Sequence, residues 1–235
     1  PDIASAYQSR MKTADLSSGE EIAIFEKAKN DLEEAGLTLK NSMGILDVSM
    51  EVPSLDDTMP DNERFVRAIK KTTGASKVRL PFQVLTKIAR VFRESNFEVR
   101  CVIRTSDEGD IFVYDVYPKS ESVVIGGLAI DIGTTTVSAL LINMLTGEII
   151  GKASAGNGQI RYGADVINRI IESMKPGGSE KLQKAVIDET INPLIQQMCR
   201  ANGFKPEHIY RMSIAANTTM NHLMAGMEGD PIRME

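Results

Sequence analysis

The chain of 235 residues has no tryptophan and only two cysteines and two histidines. Cys101 and Cys199 lie far apart with no C-x-x-C between them, and only His208 and His222 could join them. Neither a zinc site nor an iron–sulfur ligand set can be built from these residues. Long apolar runs are also missing, the longest falling well short of the roughly 18 residues that suggest a spanning helix. There is no Lys/Arg block and no aromatic-basic interleaving, and 27 basic residues face 32 acidic ones, which argues against a nucleic-acid partner. The opening residues Pro1-Asp2-Ile3 do not read as a signal segment, so the expected location is the cytoplasm. Two nucleotide motifs are absent as well: no G-x-x-x-x-G-K-[ST] leads into a helix, and no G-x-G-x-x-G follows a strand.

What is present is the composition of an ordinary globular protein, 42% hydrophobic and 25% charged, large enough for one or two domains. Its most informative stretch is 126–143, GGLAIDIGTTTVSALLIN. Leu128, Ile130 and Ile132 alternate with smaller or polar neighbours, as in a buried strand, and a second aliphatic strand runs from Val137 to Met144. The turn between them carries the chemistry. Asp131 is a carboxylate placed to hold Mg²⁺ through its waters, since that ion dehydrates reluctantly. Gly133 allows close approach of backbone to a polyphosphate, and Thr134, Thr135 and Thr136 offer successive N–H groups and hydroxyls as an anion nest. The bland alternative is a plain hairpin turn, for which Asp and Gly are common residues. Three threonines behind Asp-x-Gly favour the phosphate reading.

The chain divides into residues 1–44, a polar linker and helix; 45–120, a small α+β domain; and 121–235, an α/β lobe. Ser18-Gly19-Glu20-Glu21 is a capping-box pattern opening a helix with Ile22, Phe25, Ala28 and Leu32 at helical spacing, up to Gly36. In the small domain, Ile45–Val52 alternates as a strand, a helix is expected with Asp61 as its cap, another opens at Pro81, and 97–105 with 111–117 read as a hairpin. Asp56, Asp57 and Asp61 lack the Gly and terminal Glu of a calcium loop and read as turn and cap residues. Cys101 falls on the apolar phase of its strand and reads as core. In the lobe, strands at 123–131, 137–144 and 148–155 form a meander, helices follow at 164–174 and 179–201, and Ile209–Ala215 returns parallel to the first strand by a helical crossover. Asn217 or Thr218 caps a last helix.

These motifs resemble a known family. Asp131-Ile132-Gly133-Thr134-Thr135-Thr136 is similar to the first phosphate motif of the acetate and sugar kinase, heat-shock protein and actin superfamily of ATPases. The run from Asn157-Gly158-Gln159 through Gly163, Asp165 and Arg169, together with Ala216-Asn217-Thr218-Thr219-Met220, resembles one branch: the reductive activators of corrinoid proteins. The resemblance covers about Ile45 to Glu235. It implies an actin-like, ribonuclease-H-like lobe with a mixed sheet and helices, binding ATP and Mg²⁺, with Asp131 as the catalytic and metal-placing carboxylate. Gly133, Thr134, Thr135 and Thr136, with Asn217, Thr218 and Thr219, would face the nucleotide, although plain N-capping also explains the last three.

Gln159 and Asp165 are further candidates; Asp165 could be a second carboxylate for the metal or simply favour a helix N-terminus. Arg169 is spaced for an i, i+4 pair with it. The resemblance further implies an iron–sulfur module outside this chain, a corrinoid protein and a low-potential electron donor as partners, and leaves a homodimer open. The chain resembles the central part of a longer activator, stopping inside its ATPase. Two rival readings are a small-molecule kinase of the same superfamily and a nucleotide-independent docking module.

Overall fold

The computed structural model describes residues 12, 13, 30, 31, 34, 42–227 and 229–234. The linker at 1–17 and the helix expected from Ser18 to Gly36 lie almost wholly outside the described residues; Asn30, Asp31 and Glu34 are helical. Backbone contacts group the chain into two compact units, one of Gly36–Ile125 with Met144–Thr146, the other of Pro1–Ala35, Gly126–Asn143 and Gly147–Glu235.

In the smaller unit, alternation builds the sheet. Strands β2 (Met43–Ser49), β4 (Glu98–Thr105) and β5 (Ile111–Pro118) pair antiparallel in the order β2-β4-β5, and a two-residue strand β3 (Val78–Arg79) joins β5 in parallel. Helices α1 (Asp61–Thr73) and α2 (Phe82–Glu94) bury Phe65, Ile69, Val84, Ile88 and Phe92 against Val48, Val99, Cys101 and Val116. Phe65 and Phe92 meet edge-on at 5.1 Å, a favoured aromatic geometry. Pro60 occupies the N-cap position of α1, which corrects the assignment of Asp61 as cap: Asp61 sits in the first helical turn and accepts from Arg93 at 2.7 Å. Pro81 likewise precedes α2 as its N-cap residue instead of opening it. The two-residue β3 was not expected; so short a segment carries no period.

The larger unit is a mixed five-stranded sheet in the order β1-β8-β7-β6-β9, from β1 (Lys12–Thr13), β6 (Gly126–Ile132), β7 (Thr136–Asn143), β8 (Ile149–Gly156) and β9 (Ile209–Ala216). The meander β6-β7-β8 is antiparallel, and β9 runs parallel to β6 after a helical crossover. Leu128, Ile130, Ile132, Val137, Ala139 and Leu141 all point to one face, where Leu182, Val186, Leu194 and Met198 cover them. Ala129 and Asp131 point the other way and are exposed. The fold is therefore the expected mixed-sheet α/β lobe accompanied by a small α+β unit.

Helix α3 (Val166–Ser173) is followed by α4 (Gly178–Val186) and α5 (Asn192–Ala201), which are joined by a π-turn at Ile187–Ile191 where one continuous helix was expected. Thr190 explains the break: its hydroxyl donates to the Ala185 carbonyl at 2.7 Å and accepts from the Gly158 N–H at 3.0 Å. Single π-turns of this kind are accommodated within helices where such demands arise. Helices α6 (Thr218–Ala225) and α7 (Asp230–Met234) follow β9.

Candidate functional site

The site is built on the turn between β6 and β7. Asp131 is the last outward-facing residue of β6, flanked by Ser138 on β7 and Ala215 on β9, and its side chain lies exposed on the sheet face that the helices leave open. The turn itself closes with a hydrogen bond from the Gly133 N–H to the Thr136 carbonyl at 2.9 Å. A Cβ on residue 133 would stand 2.7 Å from that oxygen, so the approach admits only glycine.

Two side chains from other elements grip the turn. Asn157 follows β8 and is fully buried; its Nδ2 donates to the Gly133 carbonyl at 2.8 Å, its backbone N–H donates to the Thr135 carbonyl at 2.8 Å, and its Oδ1 accepts from the Gln159 N–H at 2.9 Å. Arg169, on α3, is also fully buried. Its guanidinium donates to the Thr134 carbonyl at 2.6 Å and, through Nε, to the Gly163 carbonyl at 2.9 Å. The spacing with Asp165 suggested a surface ion pair; the guanidinium instead turns inward, where charge-assisted bonds to carbonyls offset part of the cost of burying it.

Asn217 brings the second motif to the first. It caps α6, accepting from the Met220 N–H at 2.9 Å, while its Nδ2 reaches the Thr134 hydroxyl at 3.4 Å. Both of the alternatives held open for this residue type are thus compatible: capping uses Oδ1 and leaves Nδ2 at the turn. Thr218 is exposed at the start of α6, whereas Thr219 is buried. Met220, fully buried, sets its sulfur 3.3 Å from Arg169 Nη1.

The remaining candidates lie apart from this edge. Gln159 is buried, with Nε2 donating to the Leu182 carbonyl at 3.0 Å and Oε1 accepting from Arg169 at 3.5 Å, so its amide faces inward. Asp165 is exposed and caps α3: its two oxygens accept from the backbone and side-chain nitrogens of Asn168 at 2.8 and 2.9 Å. Gly133, Thr134, Thr135, Thr136, Asp131 and Asn217 therefore come together, while Gln159 and Asp165 take up buried and helix-end positions. The gripping roles of Asn157 and Arg169 were missed. Their presence in the N-G-Q to Arg169 run was the available signal, but both act across long sequence separations that no local spacing encodes.

Cys101 and Cys199 sit in the separate cores of the two units, and no group of three potential metal ligands exists among the described residues. These side chains do not fit an iron–sulfur cluster, which needs four thiolates in its usual form. An exposed carboxylate beside a glycine-threonine turn does fit a hydrated Mg²⁺ and a phosphate chain.

The family model described as the RACo linker region matches residues 32–122, and that described as the RACo middle region matches residues 126–235. Among curated proteins, the corrinoid activation enzyme RamQ of Eubacterium limosum is 31% identical over 144 residues, covering 60% of this chain and 23% of that protein. Among solved structures, a reductive activator for corrinoid, iron-sulfur protein superposes with a TM-score of 0.68 at 31% identity, covering 88% of this chain and 34% of that one. The chain thus spans about a quarter of the curated relative and a third of the solved one.

Proposed function

Since the chain belongs to the RACo family, carrying its linker and middle regions, we infer that it is part of an ATP-dependent reductive activator returning inactive Co(II) corrinoid proteins to Co(I) for methyl transfer. The observation that carries the nucleotide part of this reading is the exposed Asp131 carboxylate beside a turn whose Thr134 and Thr135 N–H groups have no hydrogen-bond partner among the described residues. Such unpaired, adjacent donors suit phosphate oxygens, and the carboxylate suits Mg²⁺ held through water. Gly133, Thr134, Thr135 and Thr136 would receive phosphate, with Asn217 and the Thr218 hydroxyl alongside. Thr219, being buried, would support the end of α6.

When bound, ATP supplies the free energy for a reduction that is uphill for ordinary cellular donors. One electron from a low-potential donor would convert the partner's Co(II) to Co(I); the iron–sulfur module that the resemblance implies for the intact protein would supply the electron-transfer chemistry, and the described residues of this chain do not hold it. For ATP to drive this, it must bind two arrangements of the protein with different affinity; the turn, by tying β6–β7 to α3 and α6, is placed to report phosphate occupancy to both helices. We assign this work to residues 121–235, and partner contacts to 45–120, with 1–44 leading into them. The intact activator would act in the cytoplasm, with a homodimer among its available states.

The test of the nucleotide part is Mg²⁺-dependent ATP turnover in the intact protein. Asp131→Ala should remain folded and lose about a thousandfold in turnover, since a metal-placing carboxylate is worth several kcal/mol in the transition state. Near-normal turnover in the folded variant would remove Asp131 from the site.

A further inference from the structure

The carbonyls of the β6–β7 turn are all engaged, three of them by Asn157 and Arg169. Gly133 O accepts from Asn157 Nδ2, Thr134 O from Arg169 Nη2, Thr135 O from the Asn157 N–H and Thr136 O from the Gly133 N–H, at 2.6–2.9 Å. Four consecutive acceptors are thereby held, while the N–H groups of Thr134 and Thr135 have no hydrogen-bond partner among the described residues. A peptide unit is a rigid dipole, so fixing the direction of its C=O fixes the opposite direction of the following N–H. Holding Gly133 O directs the Thr134 N–H, and holding Thr134 O directs the Thr135 N–H.

We propose that Asn157 and Arg169 are positioning residues that set the polarity of the turn, drawing its carbonyls inward so that it offers a fixed pair of N–H donors to a phosphate group. This rests on the nucleotide reading above and adds to it the origin of the turn's selectivity for phosphate. Both residues are wholly buried, so they act through the turn's backbone. Preorganised donors of this kind spend no reorganisation energy when the anion arrives. Without the grip, the two peptide units can flip and present carbonyl oxygens, which repel phosphate. The buried guanidinium adds a second effect of the same sign, a positive charge directly behind the turn.

The experiment compares ATP and adenosine binding by calorimetry in the intact protein and in two variants. Asn157→Asp preserves shape and the cap on Gln159 while replacing the donor to Gly133 with an acceptor; Arg169→Lys preserves charge and removes the fork of donors. ATP affinity is expected to fall at least tenfold in each folded variant, with adenosine affinity changed by less than twofold. A merely structural role would weaken both ligands together, and that result, or ATP binding equal to wild type, overturns the proposal. If neither variant folds, hydrogen exchange in the wild-type protein decides: the Thr134 and Thr135 amides should become protected on ATP binding, and unchanged exchange there overturns the proposal. Wild-type protein that binds no ATP overturns the nucleotide reading itself, and the positioning role with it.

Discussion

Gly158 and Thr190 are locked together across 32 positions: the Gly158 N–H donates to the Thr190 hydroxyl at 3.0 Å, and the same hydroxyl donates to the Ala185 carbonyl at 2.7 Å. A Cβ at position 158 would lie 2.4 Å from that carbonyl oxygen, so the contact requires glycine. Thr190→Val keeps the shape of the side chain but leaves a buried N–H and a buried carbonyl without this partner. Stability should fall by about 1–3 kcal/mol, read as an earlier midpoint in urea unfolding. Gly158→Ala should lose more, because backbone has to move. Unchanged midpoints would show that the junction between the Asn157 turn and the π-turn is not held by this pair.

In the small unit, Arg64 is the corresponding buried tie. Its guanidinium pairs with Asp57 at 2.5 Å and donates to the Glu51 carbonyl at 3.3 Å and the Met59 carbonyl at 3.4 Å, holding the segment that leads into α1. Asp57 also accepts from the Met59 N–H at 3.0 Å, which identifies it as a turn residue in agreement with the sequence. Arg64→Ala should speed amide exchange across 51–59 while ATP turnover of the intact protein stays as it was. Exchange as slow as in the wild type would assign the order of this segment to its prolines instead.

The lobe was legible where alternation is strict. Leu128, Ile130 and Ile132 placed β6 and its buried face, and the parallel return of β9 followed from chain length between the strands. The first strand begins at Gly126, three residues later than its apolar run suggested; Val123 and Ile125 are buried ahead of it, and the Ile125 carbonyl accepts from the Met144 N–H at 2.8 Å. Helix 179–201 was read as continuous because its apolar spacing survives the π-turn; only Thr190's bond to Ala185 reveals the break. Of the candidate site, the clustering of Asp131, Gly133 and the three threonines was legible, because they follow one another in the sequence at the β6–β7 turn. Arg169 was not, since a local carboxylate at i−4 is always visible in sequence and a carbonyl 35 positions away is not.

The cysteines give a pH-dependent prediction. Burial pushes the Cys101 thiol up, as do the negative charges of Asp47 and Asp115, and burial raises Cys199 as well. Both should resist thiol reagents at pH 8 in the native protein and react fully once it is unfolded in urea. With native values raised above the ordinary 9.0, the stability they contribute is complete below that pH. It is lost as the pH rises above it, since the unfolded thiols ionise while the native ones keep their protons. A native protein that titrates two thiols rapidly at pH 8 would contradict this.

The central claim, that this chain is the nucleotide-binding part of a corrinoid activator, meets its most direct test in the visible spectrum of a Co(II) corrinoid protein mixed with the intact activator and a low-potential electron donor. The Co(I) spectrum should develop when Mg²⁺-ATP is added and fail to develop when it is omitted or when Asp131→Ala replaces the wild type. Conversion to Co(I) that proceeds equally without ATP would contradict the account.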